Sequence, residues 1–132
     1  DEPVRARCDD PPPPELLLGI EQFDRGEFFE QHETLELLWR DTRTPDRDLY
    51  HGILQIGVGF HHWRGGNFHG AVVLLDEGIA RLVPFAPVCH GVDVAALVSG
   101  AQAALERLRE LGPERMAEVD VVRVAPRIRL TR

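Results

Sequence analysis

Two short stretches of the sequence combine histidine, glutamate and glutamine in patterns that favour chemistry. The first stretch holds His32, Glu33 and Glu36, and the second holds Gln55 and His62. A histidine and a glutamate four residues apart lie side by side on a helix, because one helical turn takes 3.6 residues. Imidazole and carboxylate groups bind divalent metals, and they also exchange protons near neutral pH. These side chains are therefore the first candidates for a functional site.

Both stretches fall in segments with helical periodicity. In the segment 27–40, His32 shares a stripe with Phe28, Leu35 and Trp39. The segment 45–64 is apolar nearly all round, which is typical of a central, buried helix. Buried polar groups are destabilising unless they are bonded, so two polar strips on neighbouring buried helices should meet. We therefore predict one buried cluster, formed by His32, Glu33, Glu36, Gln55 and His62, with His51 near one end.

Three interpretations of this cluster follow from its chemistry. It is a structural polar network, a divalent-metal site for zinc, manganese or iron, or a metal-free acid–base site. The metal ligands would be His32, Glu33, Glu36 and His62; the acid–base groups would be Glu36 with His32 or His62; the supporting neighbours would be Gln55, His51, Trp39 and Arg40. The spacing is not the HExxH pattern of zinc hydrolases, and no second ExxH pair accompanies it. If the cluster is buried, Glu36→Ala should cost about 3–5 kcal/mol of unfolding free energy.

A different class of function is a helix-hairpin interaction module that binds a peptide or a second copy of the chain. Exposure distinguishes the two classes. An enzyme needs the cluster to line an accessible cavity, whereas a module needs an exposed apolar groove elsewhere.

The length of 132 residues, with 43% apolar and 28% charged side chains, predicts one globular domain. Helical periodicity, caps at Asn67 and Asp93, and breaks at glycine and proline predict an all-α bundle of about five helices. These helices start near residues 15, 27, 45, 68 and 94. We expect residues 1–14 to form a proline-rich, disordered arm, 15–118 the bundle, and 119–132 an extended arginine-rich tail packed on the body.

Charge and cysteine content limit the partners. The net charge of −7 disfavours nucleic-acid binding, because the only basic cluster is the short tail. No apolar run approaches the roughly 18 residues of a membrane span. We therefore expect a protein without membrane segments that is located in the cytoplasm. Without a zinc-type spacing, Cys8 and Cys89 are expected to be reduced. His90, in a loop, is expected to be solvated. A homo-oligomer and a small-molecule ligand both stay open.

The same residues carry a resemblance to a known family. The run Gly26–Trp39, with its HExxExxW-type pattern, resembles the signature helix of the domain-of-unknown-function 309 family. The family has a second block, and this chain resembles it in Tyr50–Gln55, His61-His62 and Arg64–Asn67. The likeness continues through Gly70-Ala71, Leu74-Leu75 and Gly91–Asp93. The resemblance extends over about Leu16 to Val98. It implies a small helical bundle of prokaryotic origin and supplies no biochemical activity.

Overall fold

The computed structural model describes residues 2–131, which form a bundle of helices. The helices are α1 (Pro14–Asp24), α2 (Phe28–Asp41), α3 (Arg47–Arg64), α4 (Phe68–Leu82), α5 (Val94–Leu111) and the short α6 (Val121–Val124). The predicted all-α bundle is therefore confirmed, with α6 added near the C-terminus.

Two of the helix starts follow directly from side-chain caps. The Asn67 side chain accepts a hydrogen bond from the Gly70 amide at 2.9 Å, and Asp93 accepts one from the Ala96 amide at 2.9 Å. These bonds satisfy amides that have no partner within the first helical turn. Both caps agree with the sequence prediction.

Helix α3 is the centre of the bundle and packs between α2 and α4. Eleven of its eighteen residues are buried, which confirms the prediction of a central helix. Its glycines allow this close packing. A Cβ atom added at Gly52 would lie 2.8 Å from Leu82, and one added at Gly59 would lie 2.8 Å from Leu75. The backbone of α3 therefore approaches α4 more closely than alanine at these positions would permit.

A two-stranded hairpin joins α4 to α5, in a segment that the sequence predicts to be mostly loop. Strand β1 (Val88–Cys89) pairs antiparallel with β2 (Val92–Asp93). The two turn residues, His90 and Gly91, both have positive φ, at 51° and 71°. Tight two-residue hairpins of the I′ type need this conformation at both positions. The hairpin thereby fixes the direction of the His90 side chain.

The N-terminal arm (residues 2–13) differs from the disordered arm that the sequence predicts. It forms turns, and a disulfide joins its Cys8 to Cys89 of β1. The prediction of reduced cysteines is therefore wrong. The two residues are 81 positions apart, and nothing in the local sequence pattern reveals that the arm folds back over the hairpin.

The tail returns to the same hairpin. After α6 the chain runs beside β2, where the Asp93 amide donates to the Arg129 carbonyl at 2.9 Å and Leu130 forms a bridge with Val92. Ile128 is buried there. Within residues 2–131 no helix is long and apolar enough to cross a membrane.

Candidate functional site

The His32–Glu36 pair forms on α2, but it lies at the surface. His32 Nε2 is 3.4 Å from Glu36 Oε2, and the two side chains are 37% and 40% exposed. Glu33, one residue beyond His32, is also exposed. The inward stripe of α2 is Phe28, Gln31 and Leu35. The prediction of a buried His/Glu pair is therefore wrong, because the buried polar residue between Phe28 and Leu35 is Gln31 and not His32.

The other candidate residues of α3 point to different neighbours. His62 is half-buried, and its Nδ1 lies 3.4 Å from the side-chain amide of Asn67. Gln55 is buried, but it donates to Glu77 and accepts from Arg81 on α4. Neither residue has a bond to the His32–Glu36 pair.

The candidate residues near the ends of α2 and α3 also have partners of their own. His51 stacks on Trp39, with ring centroids 4.3 Å apart. Arg47 covers the Trp39 ring at 5.1 Å from its centroid. Burial, followed by the positive charge of Arg81, lowers the pKa of His51. Arg40, in the last turn of α2, is exposed.

The structure therefore does not bring the predicted set together as a metal site. In the described part of the chain, residues 2–131, no three His, Cys, Asp or Glu side chains converge in a way that could hold a metal ion. His32 and Glu36 are in contact, while Glu33 and His62 are not joined to them by any ion pair or hydrogen bond within that range.

An exposed aromatic residue lies beside the His32–Glu36 pair. Phe29 is 51% exposed, and its ring centroid lies 6.4 Å from that of His32 and 5.9 Å from that of His61. Partial burial, followed by the positive charge of Arg64, lowers the pKa of His61. Neutral imidazole is thus favoured next to the phenyl ring.

Gln31 is the buried polar residue of α2, and it is not among the site residues predicted from the sequence. Its side chain is fully buried, and Nε2 donates to the Ile53 carbonyl of α3 at 3.1 Å, while Oε1 has no hydrogen-bond partner among residues 2–131. Gly57 makes room for this amide: a Cβ atom there would lie 2.1 Å from Gln31 Oε1. A glycine in the middle of a buried helix indicates that a neighbour approaches closely, but it does not indicate which side chain does so.

A second buried polar group, the His90 cluster, consists of Asp46, Tyr50 and His90. His90 Nε2 is 3.0 Å from Asp46 Oδ2, and the Tyr50 hydroxyl is 3.1 Å from each of these atoms. The three residues are 2–7% exposed, so the prediction of a solvated His90 is wrong. The positive φ of the hairpin turn directs the imidazole inward, an effect that residue type alone does not reveal.

The hydrogen bonds of the His90 cluster define its charges. His90 Nδ1 lies 2.9 Å from the Asp10 carbonyl oxygen, which only accepts, so this nitrogen carries a proton. Burial opposes the charge on Asp46, but hydrogen bonds from Thr44, His90 and Tyr50 outweigh it and hold the pKa of Asp46 below its usual value. The His90 ring thus lies between the Asp10 carbonyl and the Asp46 carboxylate, in contact with both.

Tyr50 completes the cluster as a neutral donor. Burial, followed by the negative charge of Asp46, raises the pKa of the Tyr50 phenol. The hydroxyl therefore keeps its proton and donates it to Asp46. The cluster is a buried, mutually hydrogen-bonded set of carboxylate, imidazole and phenol, and it is closed to ligands while the arm lies over it.

The exposed apolar surface lies elsewhere, between the first two helices. A surface cavity of about 380 Å³, here named the α1/α2 groove, is lined by Glu15, Leu18, Thr34, Leu37, Leu38 and Asp41. Leu18 and Leu37 are 48% and 56% exposed. A second cavity of about 390 Å³ lies between the end of α3 and residues 113–121. Neither cavity is lined by His32, Glu36 or His62.

Comparison with known proteins matches part of the chain to one family. Residues 16–74 match a family described as Domain of unknown function (DUF309). The match extends from α1 into α4 and includes both helices that form the α1/α2 groove. No curated protein and no solved structure matches the chain.

Proposed function

We propose a function from the surface of the molecule, because residues 16–74 belong to the domain-of-unknown-function 309 family and that description names no activity. The proposed function is that of a protein-binding module, which receives an apolar segment of a partner in the α1/α2 groove. The observation that carries the proposal is the exposure of Leu18 and Leu37, 48% and 56%, on either side of one cavity. Apolar side chains gathered in a groove are typical of interaction sites, whereas single exposed leucines are not.

The charge of the groove indicates the chemistry of the partner. Glu15 and Asp41 are the charged residues that line it, and both are exposed. The chain as a whole carries a net charge of −7. A segment that places leucine-like side chains in the groove and lysine or arginine beside them would complement both features. A basic amphipathic helix is the simplest such segment, since grooves between helices commonly bind one.

The positions of the imidazole and carboxylate groups favour a binding module over an acid–base or metal-dependent enzyme. An enzyme of this kind needs its imidazole and carboxylate groups to line a cavity where substrate fits. His32 and Glu36 line neither of the two cavities described above, and the His90 cluster is covered. The groove has no catalytic pair, but it has apolar surface.

The test uses two synthetic amphipathic helices of equal length, both with leucines on one face. One peptide carries lysines on the other face, and its control carries glutamates. Binding is measured by fluorescence anisotropy, and the site is mapped by amide chemical shifts of the labelled protein. We expect the lysine peptide alone to bind, with shifts concentrated around Leu18 and Leu37.

Matched variants locate the binding energy. Leu37→Ser should weaken binding of the lysine peptide by about tenfold or more, because a buried leucine contributes about 1.5–3 kcal/mol. Leu130→Ser removes a leucine of similar exposure, 50%, from the opposite end of the chain, and it should leave binding unchanged. Equal affinity of the wild type and Leu37→Ser would refute the proposal. Dimerisation of the free protein that Leu37→Ser abolishes would assign the groove to a second copy instead.

The proposal includes a cytoplasmic location in a prokaryotic cell, which composition predicts and the family resemblance implies. Disulfides in a reducing cytoplasm are generally transient or redox-sensing. The Cys8–Cys89 bond would then open and close with the redox state of the cellular thiols, and the attachment of the N-terminal arm would change with it.

A further inference from the structure

The N-terminal arm lies directly over the His90 cluster. The Asp10 carbonyl accepts from His90 Nδ1 at 2.9 Å, and the His90 amide donates to the Cys8 carbonyl at 2.8 Å. The covalent bond from Cys8 to Cys89 holds the arm beside the same residue. Arm, disulfide and cluster therefore form one connected unit.

A second, noncovalent attachment holds the outer part of the arm. The Arg5 guanidinium donates to the carbonyls of Ala86 and Val88, at 2.9 and 2.8 Å. Within residues 2–131, the side chain of Arg7, two residues further along, bonds to Glu2 of the same arm and to no residue of the body. The chain thus offers two arginines of the same arm, of which Arg5 alone is bonded to the body.

The arm contributes little to the core that it covers. Among residues 2–13 only Cys8 is buried, at 6% exposure, and its partner Cys89 is fully buried. A thiolate must approach a sulfur in line with the disulfide, so attack requires the arm on either side of Cys8 to lift away while the covalent bond still holds Cys8 itself. Lifting exposes few apolar side chains, because the bundle core is built from the helices.

We propose that the Cys8–Cys89 bond is a redox-cleavable latch. A dithiol reductant attacks one sulfur as a thiolate, and the other cysteine leaves as a thiolate and takes up a proton. The second thiol of the reductant then displaces the bound cysteine, so the reductant becomes a disulfide and two protein thiols form. The arm is released and the His90 cluster opens to water, while the helical body stays folded.

The first experiment measures how fast dithiothreitol reduces the disulfide, followed by alkylation of the new thiols and mass spectrometry. Arg5→Ala should accelerate reduction by about tenfold, because it removes two hydrogen bonds that hold the arm closed. Arg7→Ala is the matched control and should stay close to the wild-type rate. Equal rates for the wild type, Arg5→Ala and Arg7→Ala would overturn the latch.

The second experiment needs no substitution. Trypsin digestion of oxidised and reduced wild-type protein compares cleavage after Arg7 in the arm with cleavage after Arg115, an exposed residue far along the chain. Release of the arm should raise the first rate by about tenfold or more and leave the second unchanged, since local opening exposes only the released segment. If both rates rise together, reduction unfolds the body; if neither rises, the arm stays docked. Either result would overturn the proposal.

Discussion

Gly57 is the position where one added methyl group has the clearest consequence. In Gly57→Ala the new Cβ atom would lie 2.1 Å from Gln31 Oε1, well inside van der Waals contact. The amide is the end of a flexible side chain, but Gln31 is fully buried and has no solvent to move into. The side chain must therefore turn away and lose its bond to the Ile53 carbonyl.

The change in unfolding free energy follows from two destabilising contributions and one stabilising contribution. Leaving a buried amide without its partner costs about 1–3 kcal/mol. Overfilling a packed interior adds about 1–3 kcal/mol. Alanine regains about 1 kcal/mol of helix propensity over glycine. The expected net loss is therefore about 3 kcal/mol of unfolding free energy, against a total stability of about 5–15 kcal/mol for a domain.

Urea denaturation of four proteins tests this reasoning: the wild type, Gly57→Ala, Gln31→Ala and the double variant. In the double variant the alanine methyl enters space that the glutamine has left, so it should be at least about 1 kcal/mol more stable than the sum of the two single changes predicts. Gly65→Ala is the control, because the nearest atom to its Cβ is 3.5 Å away and its φ is −82°; it should change stability by less than about 0.5 kcal/mol. Additivity of the two single changes would refute the proposed contact.

Three further predictions follow from the His32–Glu36 pair at the surface, the buried Asp46 carboxylate and the disulfide. Glu36→Ala should change the urea-derived unfolding free energy by less than about 0.5 kcal/mol, because the His32–Glu36 pair is partly solvated; a loss of several kcal/mol would restore the buried interpretation. The pKa of Asp46 is lowered on folding, so its stabilisation is present above the unfolded pKa and is lost as pH falls through the folded value; Asp46→Asn should flatten that acid limb in urea titrations. Reducing the Cys8–Cys89 bond should lower the unfolding free energy by up to about 4.5 kcal/mol, because the bond closes a long loop and so restricts the unfolded chain. Thermal unfolding with and without a phosphine measures this change, and an unchanged Tm would contradict the expected stabilisation.

The helices could be predicted because their signals are local. Caps at Asn67 and Asp93 and the apolar character of α3 each depend on residues within a few positions of one another. The family resemblance was likewise carried by contiguous blocks, and residues 16–74 match that family. Local chemistry was sufficient for the architecture.

The polar interior could not be predicted, for two physical reasons. At about 100° per residue, Gln31 and His32 lie about 50° on either side of the direction shared by Phe28 and Leu35, so those two apolar residues fit either one as the buried polar neighbour. The His90 cluster depends instead on contacts between residues 40 or more positions apart, and on a positive φ at His90. Periodicity contains no information about either.

The disulfide has a topological consequence for the family domain. The covalent ring that runs from Cys8 through the backbone to Cys89 encloses α1, α2, α3 and α4, and with them all of residues 16–74. In the oxidised protein a single peptide-bond break anywhere in residues 9–88 leaves both fragments joined. The oxidised domain therefore has circular connectivity. If the backbone were cut in an exposed loop of the ring, the disulfide would still join the two new fragments.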